Sequence, residues 1–504
     1  MLTQSNEFNT GMNDQEKNRL EKLNSLIRMG ENPNFSSFKE NTNIKNLNLL
    51  YSEKNREDLE KIASNLNYSI FGRVMIIRNQ GKSLFIIIKR FTDNLQLYLN
   101  EKNFSIENWK ILSYLDIGDQ IGVTGNIMKT HTGELTLKVK KLKILTKSLK
   151  PLPEKFHGLQ NIEERYRKRY LDLIMNDNVK EIFIKRSKII NEIRFLLNNK
   201  GYVEFETPIL QEQVTGAAAK PFTTHHNVLK RDFNLRIATE IPLKKIIVGG
   251  FDKAYEIGRI FRNEGISIKH NPEFTSLELY EALGDINSMI NITEEIIETV
   301  SLKVNGKTDI TYQNEKISLK KPFKKIEMID LIKEITSVDF RKIKTFPEAK
   351  KIAKEYAVEL KPFHDKMGYV INEFFEQKCE SLLKNPTFVT GYPVEVSPLA
   401  RRREEDLNLT DRFELFILGR EYANAFSELT DVRDQYDRFL EQEKEAKKGN
   451  DEATEMDHSF IDALSYGLPP TGGMGLGIDR LVMLLTDSSS IRDVILFPHQ
   501  REKK

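Results

Sequence analysis

The sequence predicts an α+β protein in which a small β-barrel precedes a larger domain of strands and helices. Apolar residues alternate with period two from Tyr68 to Thr146, and amphipathic helices are predicted at Asp14–Met29 and Asn178–Lys200. Two strand pairs with charged or glycine turns occupy residues 258–280 and 412–430. A chain of 504 residues is too long for one hydrophobic core, so roughly two to four domains are expected.

Composition narrows the class of protein. With 39% hydrophobic and 30% charged residues the chain is typical of a globular protein, and no apolar run approaches the roughly 20 residues needed to span a bilayer. The polar start is unlike a signal peptide, so no membrane and a cytoplasmic location are expected. Cys379 is the only cysteine, which excludes an internal disulfide and a thiolate zinc cluster. The 77 basic and 74 acidic residues leave a net charge of +3, so a nucleic-acid partner requires a local patch.

Residues 1–65 are predicted to form a helical N-terminal extension. In the first helix one apolar stripe is formed by Leu20, Leu23, Leu26 and Ile27, and Gly30 ends the helix. After a polar, asparagine-rich link, a second short helix is predicted near residues 56–65. Neither helix carries side chains suited to catalysis.

Residues 66–147 are predicted to form a small Greek-key barrel. Its strands are expected near residues 70–77, 83–90, 94–99, 120–127 and 134–145, with a short helix at Ser105–Leu115. Barrels of this size commonly bind single-stranded nucleic acid on the face of their middle strands. Four residues on that face suit this role. Arg78 supplies a cation and Phe85 a stacking ring, while Gln96 can read a base edge and Glu134 can accept a hydrogen bond from a base. Phe85 could equally belong to the barrel core.

Residues 148–177 are predicted to link the barrel to the larger domain. Pro151 and Pro153 stiffen the start of this linker. The basic run Glu163–Tyr170 is typical of a solvated helix face, and it also suits contact with a nucleic-acid backbone.

Residues 178–504 are predicted to form the larger domain. The long helix at its start is followed by strand Tyr202–Pro208, whose terminal proline favours a sheet edge or an interface. Residues 285–385 are predicted as a helical insertion with one small hairpin around Asn305-Gly306. A charged helix at Gln435–Lys448 precedes the glycine-rich end.

The strand pair at residues 258–280 is the most informative feature of the larger domain. Alternation puts Arg262 on one strand face and puts Phe274, Ser276, Glu278 and Tyr280 on one face of the next strand. If these strands pair, a guanidinium, an aromatic ring and a carboxylate converge, which suits a nucleotide pocket. A surface hairpin with ordinary salt bridges is the alternative.

Two further segments carry groups suited to phosphate chemistry. Glu414 and Glu421 lie on strands turned at Gly419, and paired carboxylates suit Mg²⁺. Alternation puts Glu421 on the face opposite Asn424, so a single site requires a β-bulge near Tyr422 or Ala423.

The second of these segments is the glycine-rich stretch Pro470–Arg480. It runs from a bare strand into a helix, with Arg480 at the helix start, where anions are favoured. Its spacing differs from that of a P-loop, which requires Lys and then Ser or Thr after the last glycine.

Taken together, three segments resemble the signature motifs of class II aminoacyl-tRNA synthetases. Gly201–Pro208 is similar to the first motif, Phe261–Phe274 to the second and Gly475–Arg480 to the third. Within the class the chain resembles the bacterial-type lysyl-tRNA synthetases from Tyr68 to Pro498. Segments specific to that likeness are Pro151–Leu159, Thr223–Asn227 and Arg420–Leu429.

The resemblance implies an OB-fold anticodon-binding domain and a catalytic domain built on an antiparallel sheet flanked by helices. It implies activation of L-lysine with ATP and Mg²⁺, transfer of lysine to tRNA(Lys), and a homodimer through residues 178–208. Arg262 and Arg480 would be the catalytic residues. ATP would be bound by Arg262, Glu264, His270, Asn271, Phe274, Glu414, Gly477 and Arg480, and Mg²⁺ by Glu414 and Glu421. Lysine would be bound by Gly216, Glu240, Arg262, Glu278, Tyr280, Asn424, Phe426 and Glu428.

Charge supports lysine independently of the resemblance. A cationic substrate needs buried anions, whereas an acidic substrate would need an arginine in place of Glu428. The sequence departs from the family at Ala238–Lys244, where Pro242 removes an N–H close to Glu240.

Three other functions compete with lysine activation. One is a related synthetase for aspartate or asparagine. Another is a paralogue that lysylates a translation factor, against which the barrel argues because such proteins share only the catalytic half. The last is a non-catalytic RNA-binding protein, against which the full set of charged candidate residues argues.

Overall fold

The computed structural model describes residues 11–35, 37–63, 66–153, 159–213, 216, 217, 219–450, 453 and 456–502. The chain divides into two compact units, Met1–Lys180 and Glu181–Lys504. No helix in these described ranges is long and apolar enough to cross a membrane. Residues 154–158 of the family-specific segment Pro151–Leu159 lie outside the described residues.

The first unit begins with helices that pack on the barrel. Their bounds are α1 Asp14–Arg28, α2 Ile44–Tyr51 and α3 Arg56–Ala63. The first and third agree with the sequence prediction, whereas α2 lies in what was predicted to be a polar link. Asn43 caps α2 by accepting a hydrogen bond from Asn46 N–H, and Ile44, Leu47 and Tyr51 are buried. The asparagines therefore lie on the exposed side of an amphipathic helix.

The barrel of the first unit closes on itself. Its strands are β1 Tyr68–Gln80, β2 Ser83–Arg90, β3 Asp93–Asn100, β4 Gln120–Lys129 and β5 Leu135–Thr146, with helix α4 Ile106–Ile111 between β3 and β4. The hydrogen-bonded order is β1-β2-β3-β5-β4, and β1 also pairs with β4. The predicted five-stranded barrel is confirmed.

Two short helices occupy the segment predicted as a linker, α5 Ile162–Arg167 and α6 Arg169–Met175. The basic run is therefore helical, and one of its arginines faces inward. Arg169 is buried and donates to Asp172 at 2.7 Å. The long helix α7 Asp177–Asn199 follows.

The second unit is built on an eight-stranded sheet in the order β14-β15-β16-β17-β18-β11-β10-β6. These strands are β6 Val203–Glu204, β10 Lys253–Phe261, β11 Glu273–Ala282, β14 Lys324–Glu327, β15 Thr387–Thr390, β16 Arg412–Phe416, β17 Glu421–Ser427 and β18 Thr471–Gly477. Neighbours from β15 through to β10 are antiparallel, as the resemblance implied. The outermost pairs, β14 with β15 and β6 with β10, are parallel, so the sheet is mixed.

Smaller elements complete this unit. A three-stranded sheet contains β7 Leu210–Gln211, β8 Thr223–His226 and β9 Arg231–Leu235, and a hairpin contains β12 Asp309–Tyr312 and β13 Glu315–Ser318. The helices are α8 Glu240–Val248, α9 Ile286–Asn305, α10 Met328–Thr336, α11 Phe346–Glu355, α12 Met367–Phe374, α13 Val432–Lys447, α14 His458–Ser465, α15 Ile478–Thr486 and α16 Ile491–Val494.

The region 285–385 differs from its prediction in two ways. The hairpin turns at Gln313 and Asn314, both with positive φ, whereas Gly306 ends α9 in the left-handed conformation. In addition, α9 packs in the same core as the sheet, and β14 is one of the sheet's strands. Part of this region is therefore integral to the second unit and is not inserted into it.

Alternation along the central strands separates core from cavity. Leu277 and Leu279 of β11 are buried in a core that also contains residues of α7, α9 and α15. Glu278 and Tyr280, on the opposite face of the same strand, line a cavity. The sheet thus presents its polar face to one cavity of about 470 Å³.

Candidate active site

The cavity gathers residues from segments that are far apart in the sequence. Its walls contain every candidate residue for ATP, lysine and metal except Glu428, namely Gly216, Glu240, Arg262, Glu264, His270, Asn271, Phe274, Glu278, Tyr280, Glu414, Glu421, Asn424, Phe426, Gly477 and Arg480. Their roles remain predictions, but the predicted convergence of a guanidinium, a ring and carboxylates on one site is present.

Two of the three arginines that line this cavity are the predicted ones, Arg262 and Arg480. Arg262 follows the end of β10, and its guanidinium carbon lies 5.3 Å from the centre of the Phe274 ring. Arg480 lies in the first turn of α15 and donates to the carbonyl oxygen of Glu421 at 2.5 Å. Gly477 precedes α15 without a side-chain cap, so the helix N–H groups at this end add to the positive field.

A buried carboxylate connects β11, which carries Phe274, with α15, which carries Arg480. Asp479, in α15, accepts from the Thr275 backbone N–H at 2.6 Å and from Arg186 of α7 at 2.5 Å. Thr275 directly follows Phe274 on β11. The ring and the start of α15 are therefore held in a fixed relation by one side chain.

Polar groups around Phe274 are poised for a ligand. Asn271 donates to the Glu273 carbonyl at 2.6 Å, and its buried Oδ1 has no hydrogen-bond partner among the described residues. Burial lowers the pKa of His270, and the nearby charge of Arg480 lowers it further. The ring is thus favoured in its neutral form, which can both donate and accept.

The carboxylates predicted to bind metal face the cavity together. The predicted β-bulge is present, since Leu415 pairs with Ala423 while Phe416 pairs with Glu421, leaving Tyr422 as the extra residue. This extra residue brings Glu421 to the cavity that Asn424 also lines.

Glu414 and Glu421 form a set of oxygen donors suited to Mg²⁺. Burial raises the pKa of Glu414 to about 7, and the charge of Glu421 contributes, while Arg412 opposes the rise. Arg412 donates to Glu414 at 2.5 Å, and Tyr392 donates to it at 3.0 Å. A hard cation would relieve the repulsion between the two carboxylates, so the residues present fit the ion.

The far end of the cavity is acidic. Glu240, Glu278 and Tyr280 line it, and burial raises the pKa of Glu278 to about 7, with the charge of Glu240 as the next cause. Glu278 accepts a hydrogen bond from the Thr239 N–H at 3.1 Å.

Glu428, which is predicted to bind lysine, is not among the residues that line the cavity. Its side chain is 0% exposed and is in contact with the ammonium of Lys244, a cation of the protein itself. The sequence analysis overlooked Lys244, although its position four residues after Glu240 on a helix was a usable signal.

Glycines in β18 bring Glu428 up to the cavity wall nonetheless. A Cβ on Gly473 would lie 2.0 Å from Glu428 Oε1 and 2.5 Å from the Tyr280 ring. Gly473 itself lines the cavity. A bare backbone at this position is therefore what allows the carboxylate and the ring to meet there.

Pro242, where the sequence differs from the family pattern, does not displace Glu240 from the site. Glu240 is the first residue of α8, so Pro242 lies in the first helical turn, where N–H groups have no partner within the helix. Glu240 still lines the cavity.

The four candidate residues on the barrel lie on its outer surface. Phe85 is half-buried between the inward-facing Leu84 and Ile86, so the alternative that it belongs to the core is wrong. Arg78 pairs across the strands with Phe85, and Gln96 donates to Thr136 at 3.0 Å. Glu134 is exposed just before β5.

A second ring on this face escaped the sequence analysis. Tyr98 pairs across the strands with Phe85, and their ring centroids are 5.1 Å apart. Alternation along β3 from Gln96 would have placed Tyr98 on the same face.

Comparison with known proteins agrees with this geometry. Residues 161–501 match the family described as tRNA synthetases class II (D, K and N), and residues 68–145 match the OB-fold nucleic acid binding domain. The lysine–tRNA ligase of Enterococcus faecalis is 51% identical over 490 residues, which cover 97% of this chain and 98% of that protein. The lysine–tRNA ligase of Staphylococcus aureus strain MRSA252 is 49% identical over 492 residues, covering 98% and 99%.

The chain belongs to the class II lysine–tRNA ligase family. The fold implied by the resemblance is therefore confirmed, including the OB-fold barrel and the α+β catalytic unit. Membership of the lysine–tRNA ligase family also accounts for the acidic end of the cavity, because the aspartate alternative would require a basic group there.

Arg412 also lines the cavity and was not among the predicted site residues. It donates to Asn424 Oδ1 at 3.0 Å as well as to Glu414. Arg412 therefore connects a residue predicted to bind the substrate lysine with a residue predicted to bind the metal ion. Its position two residues before Glu414 on the same strand was the available signal.

Proposed function

We propose that this chain is an ATP-dependent lysine–tRNA ligase that forms lysyl-adenylate and pyrophosphate and then transfers lysine to the 3′ end of tRNA(Lys). The observation that carries this proposal is a single cavity that is lined by the guanidinium groups of Arg262, Arg412 and Arg480 and that has an acidic end formed by Glu240 and Glu278. One end suits a triphosphate, and the other suits an ammonium group.

ATP occupies the end that contains the two arginines. Phe274 stacks on the adenine, Glu264, His270 and Asn271 hydrogen-bond to the nucleotide, and Gly477 lets it approach the backbone. Arg262 meets the α-phosphate, and Arg480 meets the γ-phosphate. Glu414 and Glu421 would hold Mg²⁺, which when bound neutralises phosphate charge.

Lysine occupies the acidic end. Its α-ammonium contacts Gly216 and Glu240, and its carboxylate contacts Arg262. Asn424 and Phe426 flank its chain. The ε-ammonium lies against Tyr280, Glu278 and Glu428, where buried anions replace the water that it loses.

Activation needs no nucleophile from the protein. The lysine carboxylate attacks the α-phosphorus, the bond to the bridging oxygen breaks, and pyrophosphate leaves. Arg262 stabilises the charge that develops on the α-phosphoryl oxygens. A 3′-terminal hydroxyl of tRNA then attacks the activated carbonyl and releases AMP.

Charging of tRNA tests this proposal. Purified protein with unfractionated tRNA, ATP and Mg²⁺ is expected to esterify labelled lysine and none of the other nineteen amino acids. Charging with aspartate or asparagine instead would support the competing synthetase. Failure to charge any tRNA would exclude a ligase.

The binding of lysine is expected to depend on pH. Because burial raises the pKa of Glu278 to about 7, lysine must displace a proton below that pH. Affinity for lysine should rise about tenfold per pH unit as the pH approaches 7 and should level off above it. Calorimetric titration from pH 5.5 to 8.5 measures this. Glu278→Gln should change the slope of the profile, and the part that remains is assigned to Glu428, whose pKa burial also raises; an unchanged slope would exclude Glu278 as the group.

We propose that the outer face of the barrel binds the anticodon through Arg78, Phe85, Gln96 and Glu134. Phe85→Ala should weaken the binding of tRNA by about 1–3 kcal/mol, which is the usual contribution of one stacked base. The KM for tRNA in aminoacylation measures this, and ATP–pyrophosphate exchange should be unchanged. Phe91→Ala, which removes an exposed ring elsewhere on the barrel, is the control. Equal effects of the two changes would contradict the assignment.

We further propose a homodimer formed through α7 and β6. Large apolar side chains are exposed on these two elements, namely Ile184, Phe195 and Val203. Strand β6 is at the edge of the sheet and can meet a second copy. Sedimentation should give twice the chain mass, and Phe195→Glu should shift it toward the monomer. A monomeric unmodified chain would contradict the proposal.

A cytoplasmic location is proposed as well, since ATP and uncharged tRNA are the partners of this reaction.

A further inference from the structure

Lys244 is a buried cation at the acidic end of the cavity. It lies one turn after Glu240 on α8, and its side chain is 1% exposed. Its ammonium is 2.5 Å from Glu240 Oε1 and is in direct contact with Glu428 Oε2. One ammonium therefore bridges the two carboxylates to which the α- and ε-ammonium groups of lysine are assigned.

Aromatic rings complete the surroundings of this ammonium. Its nitrogen lies 5.4 Å from the centre of the Phe426 ring and 5.6 Å from that of Phe460. Cation–π attraction from two rings adds to two ion pairs in a site without water access. These contacts fix Lys244 in place behind the cavity wall, so it does not leave when a substrate enters.

Lys244 uses only one oxygen of each carboxylate. It contacts Oε1 of Glu240 and Oε2 of Glu428, while Oε1 of Glu428 is buried without a hydrogen-bond partner in the described part of the chain. That oxygen lies beside Gly473, on the cavity side. Each carboxylate thus keeps one oxygen for a ligand.

The charges of the site also fit a substrate with two ammonium groups. Glu240, Glu278 and Glu428 supply three carboxylates, and Lys244 neutralises one of them. Burial raises the pKa of Glu278 to about 7 and also raises the pKa of Glu428, so the ammonium groups of lysine would favour the ionised carboxylates on binding, while Arg262 faces the lysine carboxylate. With Lys244 in place the empty hole still prefers a cation.

We propose that Lys244 is a positioning residue that fixes the separation and orientation of Glu240 and Glu428 and thereby selects substrates by the distance between their two ammonium groups. This role rests on the proposed lysine ligase function. A bridge of fixed length holds the two anions at one spacing, which lysine spans. Ornithine, one methylene shorter, leaves one buried carboxylate without its partner.

Removal of the bridge should relax this selectivity. Without Lys244 the two carboxylates repel each other, move apart or take up a proton, and the spacing is no longer fixed. The ATP end of the cavity has separate contacts and should be unaffected.

The test compares lysine with ornithine in ATP–pyrophosphate exchange for the unmodified chain and for Lys244→Met. The KM for lysine should rise about 100-fold, and the lysine-to-ornithine ratio of kcat/KM should fall by about tenfold or more, as expected when a buried charge loses its partner. The KM for ATP should stay within about twofold. Lys245→Met, which removes the neighbouring lysine that bonds Ser459, is the matched control and should leave all values unchanged.

An unchanged ratio in Lys244→Met would overturn the proposal, and so would a parallel loss for lysine, ornithine and ATP, which indicates a structural role only. If that variant does not fold, the unmodified chain still gives an answer: use of ornithine about as well as lysine would exclude selection by spacing. Absence of lysine-dependent exchange in the unmodified chain would contradict the proposed function itself.

Discussion

Replacement of Arg262 by glutamine is expected to lower kcat/KM for adenylate formation by about 10²–10³-fold. Arg262 lies beside Phe274 and lines the same cavity as Glu278. Glutamine keeps part of the side-chain length and a hydrogen-bond donor but removes the charge that we propose stabilises the α-phosphoryl group in the transition state. Single-turnover formation of lysyl-adenylate measures the effect on the chemical step.

Arg259→Gln is the matched control for this change. Arg259 lies three residues earlier on β10, is exposed, and has an ion pair with Glu273 at 3.6 Å. Exposed pairs of this kind contribute little. Equal losses in the two variants, or a loss in Arg262→Gln of less than about tenfold, would contradict a role in the transition state.

Replacement of Glu428 by glutamine should weaken the binding of lysine but not the binding of ATP. Glu428 is fully buried, and its Oε1 lies beside Gly473 in the cavity wall. Because the amide of glutamine is neutral, the ammonium groups of Lys244 and of the substrate lose one carboxylate that would otherwise balance their charge. Loss of the partner of a buried charge costs about 3–5 kcal/mol, so the KM for lysine should rise by about 10²–10³-fold.

The affinity for ATP is the internal reference for Glu428→Gln. It should change by less than about twofold, because the residues proposed to bind ATP are distinct from Glu428 and its contacts. Glu281→Gln is a suitable control, since Glu281 is paired with Lys253 at 2.7 Å and is not part of the cavity wall. A similar loss of lysine and ATP binding in Glu428→Gln would indicate a general disturbance of the fold.

Long periodic elements were predictable from the sequence. The helix α7 and the strands of the barrel follow from spacing alone, because one face of each is apolar. The bulge at Tyr422 was predictable because Glu421 and Asn424 could share a site in no other way. These features depend on local pattern plus one geometric requirement.

Features that depend on tertiary contact were missed. The helix α2 was hidden by its exposed asparagines, although Asn43 supplies a cap and Leu47 is buried. The turn at Gln313 and Asn314 was assigned eight residues too early, because Gly306 is as good a helix end as a hairpin turn. The strands at both sheet edges have few residues, and their pairing depends on neighbours.

The sequence predicts which residues line the candidate site, but it does not predict how their charges are paired. Motif spacing gives the residues that line the cavity, because most of them alternate along strands. It does not give the pairing of Lys244 with Glu240 and Glu428, since a buried lysine four residues from a glutamate is usually an ordinary helix pair. The second partner, Glu428, directly follows the end of β17, and its pairing with Lys244 is visible only in three dimensions.

The central claim is that this cavity joins the carboxylate of lysine to the α-phosphate of ATP. Exchange of labelled pyrophosphate into ATP, measured with each of the twenty amino acids in turn and without tRNA, tests it most directly. The account predicts exchange with lysine alone. Exchange that requires aspartate or asparagine, or no exchange with any amino acid, would contradict it.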